Sequence, residues 1–302
     1  MLLYLFCRSF AIKRLGAASC VPNFKDMDKR PIGIFDSGIG GLTVLREVIE
    51  AMPGESTVYL GDTARVPYGT KSARTVTAYA LQNAEFLLTK DIKLLIVACN
   101  TATAYALPEL QKRFTIPVIG VIEPGARMAA RATRARQIGI IGTEGTVRSG
   151  AYFDAIKAAD QKVVVYTRAC PLFVPLAEEG WADTDVARLT ARKYLGDIKK
   201  QGIDVLLLGC THYPLLRETI SFVMGDEVTL IDSAVATAAR ADSLLMEHGL
   251  SARGTERPSR DFFVTDSPQR FEEIGRKFLR ASMHAELVTL ESAGKIEETG
   301  KE

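Results

Sequence analysis

Two cysteines of this chain stand in the same kind of sequence. Cys99 lies in KLLIVACNT and Cys210 in DVLLLGCTH, each after a charged residue and an apolar run and before small polar residues. A single cysteine in an apolar run is usually a small hydrophobic residue of the core. Two in matched positions instead suggest a pair of proton-transferring groups. Racemisation requires such a pair, because one face of a carbon loses a proton while the opposite face gains one.

Each thiol has neighbours that could assist it. A free thiol has a pKa of about 8.5, and a helix N-terminus, a cation or a hydrogen-bond donor must favour its thiolate at neutral pH. Both cysteines stand where an apolar run gives way to an expected helix. His212 is a candidate proton relay or carboxylate ligand, with a turn histidine as the alternative. Asp36, after the run PIGIF, could orient Cys99 or bind an ammonium group, or form only an Asx turn.

Several polar residues after the apolar runs could bind a small zwitterion. Asn100 and Thr101 follow the first cysteine, and Thr211 follows the second. The loop DSGIGG lacks the GxGxxG spacing of a dinucleotide site, so its glycines more simply expose backbone N–H groups to a carboxylate. VPYGT offers the hydroxyl of Tyr68 and backbone amides, and GTEGT offers two threonine hydroxyls. A small dicarboxylate would suit this set.

The composition excludes several classes of function. The 302 residues contain 38 Lys plus Arg against 36 Asp plus Glu, and the basic residues are scattered, so nucleic acid is not an expected partner. Five cysteines without a CxxC pair, together with three histidines, predict neither a disulfide framework nor a zinc site. No P-loop and no recognisable pyridoxal lysine is present. We therefore expect an enzyme without metal or cofactor, and reduced thiols favour the cytoplasm.

The two ends of the chain differ from the rest. Residues 1–29 are apolar and basic, but Arg8, Lys13 and Arg14 interrupt the apolar stretch too early for a membrane span, and they follow the apolar residues, unlike the charges of a secretory signal. We expect a disordered extension that arises from an upstream start codon, with Met27 as the functional start; a targeting peptide is the alternative. We also expect the charged tail, 291–302, to be disordered.

Ten short apolar runs alternate with helix-like segments. Their apolar residues are continuous rather than alternating, which is typical of parallel strands covered on both faces. The segment 72–88 has helical periodicity. Near the C-terminus, Ser267 is predicted to cap a helix with Pro268 in its first turn. The runs are PIGIF, STVYL, KLLIVA, PVIGVI, QIGIIG, KVVVY, DVLLLG, VTLID, FFVT and AELVTL, and the predicted buried stripe of the last helix is Phe271, Ile274, Phe278 and Leu279.

The eight central runs form two sets of four. Asp36 precedes Gly142 by nearly the same number of positions as Cys99 precedes Cys210. The order and spacing predict an α/β fold of two similar doubly wound parallel-sheet domains related by pseudo-two-fold symmetry, with the active site in the cleft between them. We expect the first domain to comprise 30–125 plus 235–290, and the second 126–234.

Six segments of the chain resemble the glutamate racemases of the cofactor-independent aspartate/glutamate racemase superfamily. They are IGIFDSGIGGLTV, YLGDTARVPYG, VACNTATA, IGTEGTV, CPLFVPLAEEG and LLLGCTHYPLL, and the resemblance covers about residues 31–290. It implies interconversion of L- and D-glutamate without a cofactor, for bacterial peptidoglycan synthesis. A homodimer is one expected assembly, and no membrane partner is expected.

The resemblance also implies roles for individual residues. Cys99 would act on D-glutamate and Cys210 on L-glutamate, with Asp36 and His212 assisting the thiols. Glu178 would be an auxiliary acidic residue near the cleft, although Glu179 adjoins it. The residues implied to line the substrate pocket are Ser37, Pro67, Tyr68, Gly69, Asn100, Thr101, Thr143, Thr146 and Thr211.

Three other functions share some of these features. An aspartate racemase would have the same fold and bases and would differ only in the length of its pocket. A two-lobed amino-acid-binding protein would share the cleft but would not need paired thiols. A lyase or decarboxylase with one thiol would lack the second cysteine. Cys170, which has no polar partners of this kind beside it, is expected to be structural.

Overall fold

The computed structural model describes residues 28–252 and 257–290, in which parallel strands alternate with helices. The strands are β1 (Ile32–Asp36), β2 (Thr57–Gly61), β3 (Leu94–Val97), β4 (Val118–Gly120), β5 (Gln137–Gly142), β6 (Val164–Ala169), β7 (Val205–Gly209), β8 (Thr229–Asp232), β9 (Arg260–Val264) and β10 (Ala285–Leu287). The helices are α1 (Leu42–Ala51), α2 (Ala73–Leu88), α3 (Asn100–Arg113), α4 (Ile122–Ala132), α5 (Glu144–Arg148), α6 (Ala151–Ala159), α7 (Phe173–Glu178), α8 (Asp185–Lys199), α9 (Arg217–Met224), α10 (Ser233–Glu247) and α11 (Pro268–Leu279). All ten apolar runs form strands, as predicted.

The strands form two sheets with the same internal order. The first sheet has the order β10-β9-β2-β1-β3-β4 and the second β6-β5-β7-β8, and every pairing between neighbouring strands is parallel. Strands β5 to β8 therefore repeat the arrangement of β1 to β4, which confirms the predicted pair of similar parallel α/β units. The boundaries between the two domains stay a prediction. Strands β9 and β10, the last of the described chain, extend the first sheet beyond β2.

Helices cover both faces of each sheet. Every residue of β1, β3 and β7 is buried, which explains why their sequences are continuously apolar. Helices α2 and α3 pack together beside the first sheet, and α4 and α6 beside the second. Helix α10 contacts both α1 and α4. The largest apolar cluster contains residues of both sheets, so the two units share one continuous core.

The two predicted helix starts have different outcomes. Ser72 caps α2, since its side-chain oxygen accepts a hydrogen bond of 3.2 Å from the backbone N–H of Thr75. Helix α11 begins at Pro268 and buries the predicted apolar stripe. The prediction that Ser267 caps it is wrong: Ser267 has φ +51° and makes no side-chain cap hydrogen bond. A capping side chain needs extended backbone at this position, so only the Ser267 carbonyl serves the helix, accepting from Phe271 N–H.

A buried ion pair joins distant parts of the chain at the amino-terminal ends of strands β2 and β3. The Lys93 ammonium lies 2.6 Å from Glu55 Oε2, and both side chains are almost fully buried. Lys93 Nζ also donates to the carbonyls of Asp28 and Leu250, at 2.6 and 2.7 Å. The other oxygen of Glu55 accepts from the backbone N–H of Ala252 at 2.6 Å. The start of the described chain and the segment before β9 are therefore held at one point.

Removing the lysine should destabilise the fold strongly. Lys93→Met leaves a buried carboxylate without its cation, so the free energy of unfolding should fall by about 3–5 kcal/mol in urea denaturation. Arg113→Met, which breaks the exposed pair with Glu85, is the matched control and should cost less than about 1 kcal/mol. If the free energy of unfolding fell equally in the two variants, the structural role assigned to Lys93 would be contradicted.

Candidate active site

The predicted polar residues meet at one cavity between the two sheets. Its volume is about 290 Å³, and Cys99 and Cys210 both line it. Cys99 follows β3 and Cys210 follows β7, which are equivalent strands of the two units. The carboxyl ends of both sheets therefore face the same space, as expected for ligand sites of parallel α/β folds.

Most of the predicted site residues line this cavity. Those that do so are Ser37, Pro67, Tyr68, Gly69, Cys99, Asn100, Thr101, Thr143, Glu178, Cys210, Thr211 and His212. Asp36 and Thr146 are not among the lining residues and lie buried behind them. Cys170, predicted to be structural, is fully buried and also does not line the cavity.

Cys99 stands at the N-terminal cap of α3. Its Sγ accepts a hydrogen bond from Ala102 N–H and donates one to Ser37 Oγ, both at 3.5 Å. Burial, reinforced by the nearby Asp36 carboxylate, raises the pKa of Cys99 to about 12, and the contacts with Ser37 and Ala102 only partly offset this rise. The Cys99 side chain is therefore a protonated thiol at neutral pH in this state.

Cys210 has a different environment. Its Sγ lies 3.8 Å from Nδ1 of His212, whose Nε2 lies 3.0 Å from Oε1 of Glu178. Burial tends to lower the pKa of His212, but the hydrogen bonds with Cys210 and Glu178 outweigh it and raise this pKa to about 10. The hydrogen bond with His212 lowers the pKa of Glu178. A charged imidazole thus stands between a thiol and a carboxylate, within reach of both.

Asp36 links the two units behind the cavity. Its carboxylate accepts from Gly38 N–H at 3.0 Å and from the Thr211 hydroxyl at 3.4 Å. Burial raises its pKa, although the charge of His212 and the hydrogen bond from Gly38 act in the opposite direction. A Cβ at Gly41 would lie 2.5 Å from Asp36 Cβ, so this loop requires glycine. The charge of Asp36 raises the pKa of Cys99, and the Asp36 carboxylate contacts Thr211, which directly follows Cys210.

Three threonine hydroxyls form a second link across the cavity. Thr101 Oγ1, from the first unit, lies 2.8 Å from Thr143 Oγ1 and 3.2 Å from Thr146 Oγ1, both from the second. Thr143 also caps α5, accepting from Thr146 N–H at 3.2 Å. Thr101 and Thr143 can present hydroxyls to a ligand, whereas Thr146 supports them from behind.

The sequence predicts that the hydroxyl of Tyr68 is available to a ligand, but in the structure this hydroxyl has two protein partners. It donates to a carboxylate oxygen of Asp62 and accepts from Asn83 Nδ2 at 3.1 Å. Asp62 is in turn held by the guanidinium of Arg65 at 2.7 Å. Tyr68 lines the cavity, but protein groups already pair its hydroxyl on both sides.

The sequence reasoning missed part of the cavity wall. Helix α7 carries Val174 and Pro175 into the lining beside Glu178. Apolar residues of this kind give no chemical signal in a sequence, although they lie in the segment CPLFVPLAEEG. Glu144, at the start of α5, is an acidic lining residue that also escaped attention. The lining residues that the sequence did not single out are Val66, Thr70, Glu144, Pro171, Val174 and Pro175.

Two negative findings concern the described residues. Within 28–252 and 257–290, no group of three or more His, Cys, Asp or Glu side chains is arranged to hold a metal ion. No helix in these same ranges has both the length and the apolar character needed to cross a bilayer.

Two similar parallel α/β units that share one cavity, with one thiol from each unit in its lining, define the class of protein by fold and site. Residues 32–241 match the family model of Asp/Glu/Hydantoin racemases. The chain belongs to this family and is thus an isomerase that works without a cofactor.

Individual relatives agree with this assignment. The chain is 57% identical over 253 residues to a glutamate racemase of Geobacter metallireducens, covering 84% of this chain and 94% of that protein. A crystal structure of glutamate racemase isoform RacE1 from Bacillus anthracis matches 87% of this chain and 98% of its own, with a TM-score of 0.85 and 41% identity. A Francisella tularensis glutamate racemase in complex with D-glutamate has a TM-score of 0.83 and 40% identity, covering 88% of this chain and 100% of that one.

The pair of His212 and Glu178 predicts how stability depends on pH. The folded pKa of His212 is raised, so its contribution is complete below about pH 6.5 and is lost as the pH rises through about 10. The folded pKa of Glu178 is lowered, so its contribution is present above its usual pKa of about 4.3 and is lost at lower pH. Glu178→Gln should therefore reduce the free energy of unfolding most between about pH 4.3 and 6.5.

Urea unfolding of the wild-type and Glu178→Gln proteins from about pH 4 to pH 10 measures the difference in the free energy of unfolding. Glu179→Gln removes the neighbouring, largely exposed carboxylate and is the matched control, for which the difference should be small at every pH. A Glu178→Gln difference that grew from pH 6.5 to 10 would contradict a charged His212.

Proposed function

We propose that this protein is a glutamate racemase that uses Cys99 and Cys210 as its two bases. The observation that carries the proposal is the placement of one thiol from each duplicated unit on a single cavity of about 290 Å³. The relatives named above are glutamate racemases, and one of them binds D-glutamate. A lyase with one thiol would not need the second, and a binding protein would need neither.

The proposed reaction moves one proton at each face of the α-carbon. With L-glutamate, the Cys210 thiolate removes the α-proton, so the C–H bond breaks and an S–H bond forms. The Cys99 thiol then gives its proton to the opposite face, forming the new C–H bond of D-glutamate and leaving a thiolate. The reverse reaction begins at Cys99. Exchange of protons with solvent returns the two sulfurs to their starting forms between turnovers in the same direction.

The states of the two thiols fit this division of labour. Cys99 is protonated at rest and is therefore ready to donate in the direction from L to D. His212 lies within reach of Cys210 and can exchange a proton with it, while Glu178 holds the imidazole in place. For the direction from D to L, Cys99 must first lose its proton, and the ammonium group of the bound substrate favours that loss.

The remaining lining residues would bind and polarise the substrate. An α-proton of an amino acid is very weakly acidic, so the negative charge that develops must be stabilised by fixed dipoles in a site closed to water. The hydroxyls of Ser37, Thr101, Thr143 and Thr211 and the amide of Asn100 supply such dipoles around the cavity. We expect Asp36 and Thr146, behind these groups, to hold them in place.

The biological setting is a further part of the proposal. D-Glutamate is a building block of bacterial peptidoglycan, and a racemase that makes it would act in the cytoplasm, where thiols stay reduced. A homodimer remains a prediction.

Loss of either thiol should abolish racemisation. Cys99→Ala and Cys210→Ala each remove a base in one direction and an acid in the other, so the rate should fall by at least about 10²–10⁴-fold. The serine variants should also be severely impaired, because a hydroxyl is a far weaker acid than a thiol. Cys170→Ala, at a buried thiol outside the cavity, is the control and should stay active. Near-normal racemisation by either alanine variant at position 99 or 210 would show that one thiol serves both faces.

Deuterated solvent tests the same mechanism on the intact protein. Product formed in the first turnover should carry deuterium at the α-carbon while unreacted substrate stays protiated, because the returning proton comes from a different residue. Mass spectrometry with enantiopure glutamate measures both, and enantiopure aspartate serves as the comparison substrate. If aspartate were racemised faster than glutamate, aspartate would be the assigned substrate instead.

The activity should survive removal of small molecules. The proposed steps use only thiols and polar groups of the chain, so protein dialysed against a chelator should keep its full rate of racemisation. The change in optical rotation of L-glutamate measures that rate. Recovery of a lost rate on adding pyridoxal phosphate, a nucleotide or a divalent metal would contradict the proposal.

A further inference from the structure

The phenol of Tyr152 lies between the turns that carry the two thiols. Tyr152 belongs to α6, beside the second sheet, and is 2% exposed. Its hydroxyl donates to Oδ1 of Asn100 at 2.6 Å, and Asn100 directly follows Cys99. Its ring packs on Gly209, where an added Cβ would lie 3.0 Å from the ring, and Gly209 directly precedes Cys210. One side chain therefore contacts the neighbour of each thiol.

The hydrogen bond fixes the orientation of the Asn100 amide. The phenol holds the amide oxygen, so the amide nitrogen is the end left for another partner. Asn100 lines the cavity, yet its Nδ2 is buried without a hydrogen-bond partner among the residues that the structure describes. A buried donor in this condition is unfavourable, and a ligand oxygen in the cavity would satisfy it.

Ser233 and the Tyr152 hydroxyl both lie close to Gly125. Ser233, at the start of α10, lowers the pKa of Tyr152, although burial outweighs this effect. The hydrogen bond of 2.6 Å to Asn100 uses the single proton of the phenol. Gly125 allows the approach of Ser233, because a Cβ there would lie 2.8 Å from Ser233 Cβ. Burial raises the pKa of Tyr152, so its hydroxyl keeps the proton that it donates.

We propose that Tyr152 is a positioning residue for racemisation, holding the Asn100 amide so that its nitrogen donates to a carboxylate oxygen of the bound amino acid. This inference rests on the proposed function. Tyr152 does not line the cavity and acts only through Asn100.

The test separates the hydroxyl from the ring. Tyr152→Phe keeps the packing on Gly209 and removes only the hydrogen bond to Asn100. The KM for both enantiomers of glutamate should rise about tenfold while kcat changes little, since the amide contacts the carboxylate before and during the reaction. Tyr105→Phe is the matched control: the Tyr105 hydroxyl also bridges the two units, donating to Gly145 O at 2.9 Å, but does not contact Asn100. Its KM should be unchanged.

A double-mutant cycle asks whether Tyr152 acts through Asn100. Asn100→Ala should raise KM at least as much as Tyr152→Phe, and adding Tyr152→Phe to it should have no further effect. Ser233→Ala keeps the whole tyrosine and should raise KM by a smaller factor, which provides a second variant if Tyr152→Phe does not fold. Additive effects in the cycle, or an unchanged KM in Tyr152→Phe, would overturn the proposal.

A measurement without substrate tests the orientation of the Asn100 amide separately from the racemase activity. The side-chain NH₂ signals of Asn100, assigned by their loss in Asn100→Ala, should shift or broaden in Tyr152→Phe and stay in place in Tyr105→Phe. Unchanged Asn100 signals in Tyr152→Phe would overturn the positioning role. Wild-type protein that failed to racemise glutamate would overturn the proposed function alone, while these signals would still test the orientation of the amide.

Discussion

Burial of two thiols on one small cavity is the constraint on which the rest of this structure depends. A thiol can serve each face of a carbon only if the two sulfurs come from opposite walls, and a parallel α/β unit offers one residue of this kind where a strand ends and a helix begins. Duplication of the unit supplies two such positions, Cys99 after β3 and Cys210 after β7. Asp36 with Thr211, and Thr101 with Thr143, then hold the two walls together.

The duplication is symmetric in the backbone and asymmetric in charge. Cys99 has a serine hydroxyl and a backbone N–H as its partners, and burial keeps it protonated. Cys210 has a charged imidazole beside it, which Glu178 stabilises from the far side. The two equivalent positions therefore place their sulfurs in different electrostatic surroundings. The proposed two-thiol mechanism needs such a difference, because it requires one sulfur to be charged while the other is not.

Much of the fold was accessible from the sequence, because strands buried on both faces must be continuously apolar and the order of the runs repeats. The two thiols were accessible for the same reason. The exact partners of polar groups were not: Ser267 takes a left-handed backbone that rules out capping, and the Tyr68 hydroxyl is paired with Asp62. Tyr152 also escaped notice, since a tyrosine on an amphipathic helix resembles an ordinary core residue until its hydroxyl is seen against Asn100. Such pairings depend on side-chain geometry across distant segments.

The order of the strands along the chain has a consequence for synthesis on the ribosome. The four strands of the second sheet are contiguous in sequence, whereas β9 and β10 reach the first sheet only after the whole second unit has been made. The hydrogen bond from the Lys93 ammonium to the carbonyl of Leu250 likewise can form only after residue 250 has been made. The first unit is therefore completed only after the second has been made, and the edge of β2 stays uncovered in the growing chain until β9 has left the exit tunnel.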